Sequence, residues 1–285
     1  MRVYNIVGYT IIFLNVLVAG IFAPSGWSFV SGATIGFLFL LYIWFVGGIY
    51  ASNILHMGIA HKTLHFKDWF VKFITVLFSV TGIYISPTGW VNRHRNHHAF
   101  SDHEGDPSKL AEDGFWKTLY LCFFPYECKT DMAKDAILKT PTMRMVSSSY
   151  FALFSQISSY GLLWLAFGEW LFALVLWFGV RIFALWVNML QNYWTHDRRF
   201  GTRRYPDEDD NAMNIGDWLP VAATFSACLQ NNHHHSPSFL RNSHDDSEFD
   251  FGFLTVRAMK SIGLVEASLS GIKMPKDVPL REVGF

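Results

Sequence analysis

His94-Arg95-Asn96-His97-His98 sets three imidazoles within five residues. On a helix, His94, His97 and His98 stand at i, i+3 and i+4 and project from one face. Imidazole is the commonest metal ligand among side chains, and three on one face form part of a metal cage. The alternative, a polar surface cluster, weakens as the rest of the chain is counted. His56 and His61 precede the triplet, and His196, His233, His234 and His235 follow it. For one centre to use them all, the intervening segments must leave every cluster on the same side of whatever the chain is embedded in.

The embedding medium is legible in the composition. Of 285 residues, 51% are hydrophobic and only 16% charged, against roughly 25% charged in soluble domains. That balance predicts a membrane protein. The net charge is zero, from 23 basic and 23 acidic residues, so nothing points to nucleic acid as a partner. Three cysteines, Cys122, Cys128 and Cys228, are too few and too oddly spaced for a disulfide framework or a zinc ribbon and are read as free thiols.

Four segments, roughly 4–22, 29–50, 145–167 and 170–190, have the length and apolarity to cross a bilayer, which takes about 20 residues. The first has almost no basic region before it and no small-residue cleavage site, so it is read as a span and not a signal peptide. The turns 23–28 and 168–169 lack Lys and Arg, whereas 51–144 carries 11 and the stretch from 191 onward another 10. The positive-inside rule then puts both termini, 51–144 and 191–285 in the cytoplasm. All 12 histidines fall in those parts. The chain is read as one domain, 1–285, with no repeat or linker.

Segment 69–86 is apolar too, but as a span it would separate His56/His61 from His94–His98. It is read as a helix lying on or dipping into the cytoplasmic interface, with a fifth span as the alternative. Lys117–Phe124 is read as amphipathic and interfacial. Arg181 lies 11 residues inside the fourth span, where an arginine is costly and is usually paired or faces a cavity. With Asn188, Asn192 and His196 it forms a polar stripe, read as lining the far part of a substrate cavity. A snorkelling arginine is the alternative.

Helix geometry alone favours His61/His65, four apart, over His56/His61, which an α-helix turns about 140° from each other. A metal between helices still accepts the wider pair. Asn192-Tyr-Trp-Thr-His196 and Gln230-Asn-Asn-His233-His234-His235 complete the set, and His244 is read as a surface residue.

In combination these motifs resemble the membrane-bound fatty acid desaturases, nearest to the acyl-CoA and acyl-lipid branch. That family's pattern is a histidine pair five apart, then H-x-x-H-H preceded by Trp-Val, then a last box ending in His-His. Here the pair is His56/His61, followed by Lys62-Thr63-Leu64. The second box is Trp90-Val91-x-x-His94-Arg95-x-His97-His98, with Asp102 and Asp106-Pro107 in the family's style. Asn192-x-x-x-His196, then Arg204-Tyr205 and Asp210-x-x-x-Asn214, is similar to the family's stretch after the fourth helix. The resemblance runs from about Asn53 to 251–264.

It implies an all-α fold: an integral-membrane four-helix transmembrane bundle with a cytoplasmic helical cap holding a dimetal site. It also implies two iron ions, one held by His56, His61, His94, His98 and His234. The other takes His97, His196 and His233, with Asn192 reaching it through water. The family's ninth ligand falls on Gln230, a weaker donor than imidazole. Either Gln230 serves as ligand or neighbour of the metal, or His235 swings in, or a one-residue shift makes His234/His235 the pair. Imidazole also suits zinc, copper and nickel, so iron follows from the resemblance alone.

The implied activity is O2-dependent introduction of a double bond into a fatty acyl chain linked to CoA, acyl carrier protein or lipid. Unactivated methylenes require an oxidant that no side chain supplies. No four-cysteine cluster site, dinucleotide loop or haem-binding His-Pro-Gly-Gly segment is present, so electrons come from a separate ferredoxin, rubredoxin or b-type cytochrome. Arg198-Arg199 and Arg203-Arg204 either dock that donor or a phosphate-bearing carrier, or form a solvated loop near an anionic bilayer. The short tails and absence of a fused donor point to a bacterial inner membrane. Two rivals remain. One is a hydroxylase or acetylenase on the same scaffold. The other is a non-catalytic membrane metal- or haem-binding protein, although haem needs one or two axial ligands and not eight or nine histidines.

Overall fold

The computed structural model describes residues 2–108, 114–124 and 126–267; the last part of the expected cytoplasmic tail, after 267, lies outside the described residues. In chain order, α1 (Val3–Ile21) and α2 (Phe29–Gly48) form a hairpin, and α2 runs on into a π-helix, Ile49–Ala60. A short strand β1 (Leu64–Phe66) leads to α3 (Asp68–Thr81), α4 (Pro87–Phe100) and α5 (Phe115–Phe123). After α6 (Pro141–Val146) comes a second hairpin, α7 (Ser149–Phe167) and α8 (Trp170–Asn192), which ends in a 3-10 turn, Trp194–His196. Helices α9 (Trp218–Ala223), α10 (Gln230–His235) and α11 (Phe251–Ser261) and strand β2 (Val265–Ala267) complete the described chain. β1 and β2 pair antiparallel, Phe66 opposite Val265, a small departure from an all-α chain.

Among the described residues, four helices are long and apolar enough to cross a membrane, and they fall on the four expected segments. The third starts at Ser149 and not at 145, because Ser148 caps it by accepting from the Phe151 N–H. The first hairpin closes on small residues: a Cβ at Gly36 would lie 2.5 Å from that of Ala19, and one at Gly32 2.6 Å from that of Ala23. Two glycines four apart let helix backbones approach where lipid offers no hydrophobic drive.

Helix α3 has 14 residues, about 21 Å of helix against the roughly 30 Å of hydrocarbon a span must cross. Its last turn nevertheless reaches the bundle. Ser158 Oγ donates to the Val80 carbonyl at 3.2 Å, and Ser155 Oγ to that of Ser79. Arg181 lies in the same region. Its guanidinium donates to Gln156 Oε1 (2.8 Å), Ser159 Oγ (3.1 Å) and the Trp177 carbonyl (2.7 Å), and it stacks on the Trp177 ring at 3.6 Å. Asn188 instead accepts from Asn192. The expected stripe thus divides into a seam between α7 and α8 and an amide pair nearer the histidines. Arg181→Leu is expected to strand Gln156 Oε1, while Ser159 keeps Trp177 Nε1 and the Gln156 carbonyl, and to cost about 1–3 kcal/mol. A lower thermal midpoint in detergent with product chain length unchanged would mark a packing seam; altered chain length would mark the lining of a substrate cavity.

Candidate metal centre

The first histidine pair is built by the π-helix. In this form the N–H of residue i+5 bonds to the carbonyl of residue i, and His61 N donates to the His56 carbonyl at 3.0 Å. Residues five apart therefore meet, and the two rings lie 4.8 Å apart between centroids. The α-helical expectation of His61/His65 fails for this reason: His65 stands exposed in β1, away from both histidine groups. Helix α4, capped by Ser86 Oγ and opened by Pro87, presents His94, His97 and His98. The 3-10 turn after α8 delivers His196, and α10 delivers His233 and His234.

These eight side chains converge in two groups. His56, His61, His94, His98 and His233 place one ring nitrogen each within 4.8 Å of one another, and His97, His196 and His234 do the same. The triplet that opened the sequence is split between them, His94 and His98 to one group and His97 to the other. His233 and His234 are exchanged relative to the expected sets. On α10 the two rings diverge, and the structure turns His233 toward His56 Nε2 (3.0 Å) and His98 Nε2 (3.1 Å). His234 Nε2 faces His97 Nε2 at 3.3 Å.

His235 takes no part. Its Nδ1 is 2.6 Å from Glu208 and its ring stacks on Tyr205 at 3.6 Å, so neither a swing inward nor a His234/His235 pair is what the chain adopts. His244, expected at the surface, is buried against Tyr205. The paired arginines are engaged within the chain: Arg198 with the Asp210 carbonyl, Arg199 with Asp197, Arg203 with Asp210, and Arg204 with Asp245.

Proton positions in the three-histidine group decide what it can bind. His97 Nδ1 lies 2.8 Å from Asp106, His196 Nδ1 2.9 Å from Asp102, and His234 Nδ1 2.8 Å from Asp210. A carboxylate only accepts, so each Nδ1 carries a proton, and in the neutral ring each Nε2 is then the lone pair. Three lone pairs aimed at one point repel one another unless a cation lies between them. The residues therefore fit a metal. In the five-histidine group, burial and the neighbouring rings hold His61, His94, His98 and His233 well below the ordinary imidazole range. Neutral imidazole is the form that ligates.

Gln230 is buried at the start of α10, one turn before His233 and His234, and its Oε1 has no hydrogen-bond partner. A buried carbonyl left without a donor costs about 1–3 kcal/mol, and a metal or its water would remove that cost. Asn192 donates to the Asn188 carbonyl at 2.9 Å.

Sequence reasoning quoted Asp102, Asp106 and Asp210 but gave them no role. Asp102 adopts φ 60°, a left-handed conformation that Asp tolerates better than most residues. There it accepts from both His196 and the Asn211 N–H. The signal was present: carboxylates four and eight residues past a histidine box, on a turn sharp enough to fold back on it. Asn214, Asn231 and Asn232 were missed as scaffolding. Asn231 Oδ1 accepts from the Tyr205 N–H at 2.7 Å, and Asn214 Nδ2 donates to Asn232 Oδ1 at 2.7 Å.

A helical frame with four helices apolar enough to cross a membrane, carrying eight converging histidines, fits the class of membrane proteins with a histidine-rich metal site. A family model, fatty acid desaturase, matches residues 34–245, and the chain belongs to that family. It is 31% identical to the sn-1 stearoyl-lipid 9-desaturase of Anabaena variabilis, over 90% of each chain. It is 28% identical to the sn-2 palmitoyl-lipid 9-desaturase of Nostoc sp. (strain 36), again over 90% of each. It is also similar, at 26% identity over 84% of this chain and 78% of the relative, to the hex-5-enoyl-[acyl-carrier protein] acetylenase of Moorena producens (strain JHB).

Proposed function

We propose that this chain is an O2-dependent di-iron desaturase that introduces a double bond into a lipid-linked fatty acyl chain, at the position 9 named for its relatives. The observation that carries this reading is the convergence of eight imidazole nitrogens in groups of five and three. Two irons bound there would supply the activation of O2 that abstraction from unactivated methylenes requires. One would rest on His56, His61, His94, His98 and His233. The other would rest on His97, His196, His234 and the Gln230 Oε1, with Asn192 beside it. The protein's own residues fix the rings of His97, His196 and His234 through Asp106, Asp102 and Asp210, each Nδ1 donating to its carboxylate so that Nε2 is the atom left to ligate.

In this reading the domain is single. The four spans form a membrane bundle with both termini, the π-helix and α3 to α6 on the cytoplasmic side of a bacterial inner membrane. Electrons come from a separate ferredoxin, rubredoxin or b-type cytochrome. Expression in a host with a simple fatty-acid profile tests the activity. A new monounsaturated species by mass spectrometry, with about two irons per purified chain, supports it. A hydroxylated or triple-bonded product would move the chain to the rival chemistries on the same scaffold, and zinc or a single haem would end the reading.

Gln230 gives a sharper check. Gln230→Ala is expected to weaken one of the two bound irons by about 10-fold, as loss of a metal's supporting group does, whereas Gln230→His should hold both. Unchanged binding in the alanine variant would show that Gln230 lies outside the site.

A further inference from the structure

The eight imidazoles differ in what holds the far side of the ring. In the three-histidine group every ring is tied to a carboxylate, Asp106, Asp102 or Asp210. Among the described residues, no ring of the five-histidine group bonds to one. The three carboxylates are buried, and each is fixed in turn by backbone donors. Asp106 accepts from the N–H groups of Asp102 (2.8 Å) and Ser108 (2.7 Å), Asp102 from that of Asn211 (2.8 Å), and Asp210 from that of Ala212 (3.0 Å). Arg203 lies 3.2 Å from the Asp210 oxygen that does not face His234. The loop after α4 and the loop before α9 thus close on the same three rings from two directions.

A ring that donates to a carboxylate is fixed in tautomer and orientation and is a stronger base at its other nitrogen. Three such rings offset a smaller ligand count. Three carboxylates stand behind the rings of this group, and among the described residues none stands behind those of the five-histidine group. We infer that Asp102, Asp106 and Asp210 are positioning residues that make the three-histidine group a separate metal subsite, loaded and lost independently of its five-histidine neighbour.

The inference rests on the di-iron reading and is tested on metal binding, not on turnover. Purified full-length protein is loaded with 57Fe, and iron affinity and Mössbauer spectra are compared for wild type, Asp106→Asn, Asp210→Asn and His61→Ala. Wild type should show two doublets of equal area. Each Asp→Asn variant, which keeps the side chain's shape, should retain one tight iron and weaken the other by about 10–100-fold. The doublet it loses should be the one that His61→Ala keeps. Arg203→Gln, which reaches the group through Asp210 and the loop carbonyls of Glu208 and Ala212, should shift that same doublet with a smaller loss. Both irons persisting unchanged in the Asp→Asn variants would overturn the inference, as would both leaving together or the loss of the doublet that His61→Ala also loses. A wild type holding a single iron would sink the di-iron reading itself, and this inference with it.

Discussion

Alanine in place of His97 is expected to abolish product formation, at least 1,000-fold, on the order of what is lost when a catalytic centre loses a functional member. His97 is the one residue of the second histidine box in the three-histidine group. It stands 3.3 Å from His234 across that group and holds Asp106 behind it. Its removal takes away one of three imidazoles and leaves the buried Asp106 carboxylate on its backbone donors alone. The measurement is the fatty-acid profile of expressing cells beside the iron content of the purified variant. No new unsaturated species and about one iron fewer per chain are expected. A variant that matches wild type in both would show that the converging rings are not the catalytic centre. His97→Gln, which keeps a polar side chain of similar reach, should be equally inactive if ligation by imidazole is what matters. It would recover activity if His97 served only to hold the Asp106 loop.

The spans and the histidine boxes were legible because each rests on a local property. Apolar runs of about 20 residues report the membrane, and H-x-x-H-H reports one face of an α-helix. His56 and His61 were harder, since their spacing makes sense only on a π-helix, a form whose extra residue per turn has no compositional signature. The exchange of His233 and His234 could not be read either. Adjacent residues on a helix point about 100° apart, so which ring meets which group depends on how α10 is held. That is decided by Asn214, Asn231, Asn232 and Tyr205, residues with no local sign of such a task. Arg181 shows the limit of angular reasoning. Beyond the Trp177 carbonyl on its own helix, its guanidinium donates to α7, a helix whose Gln156 and Ser159 no pattern on α8 could reveal.

The same distinction between position and partner makes Arg95 the residue whose loss should most damage the fold around the site. It lies between His94 and His98 in sequence yet ligates nothing. Its guanidinium donates to the carbonyls of Ile59 (2.6 Å) and Ala60 (2.9 Å), where the π-helix ends, and to that of Met132 (2.7 Å). It also forms a forked ion pair with Asp135 at 2.6 and 3.1 Å, both side chains being largely buried at 16% and 12% exposure. One side chain thereby fixes the end of the helix that carries His56 and His61 to the helix that carries His94 and His98. Arg95→Ala leaves three carbonyls without this donor and Asp135 with only the exposed Lys62 at 3.4 Å, and removing one partner of a buried pair costs about 3–5 kcal/mol. In a chain of this size that lowers the thermal midpoint by on the order of 10 °C. Arg95→Lys keeps the charge but supplies a single point donor in place of a planar fork, so it should recover only part of the loss. Full recovery by lysine would mean that charge alone, and not the five-donor geometry, joins the two helices. Metal binding by the five-histidine group should weaken in step with the midpoint across the two variants, because His61 and His94, 2.8 Å apart at Nε2, sit on the two elements that Arg95 ties together.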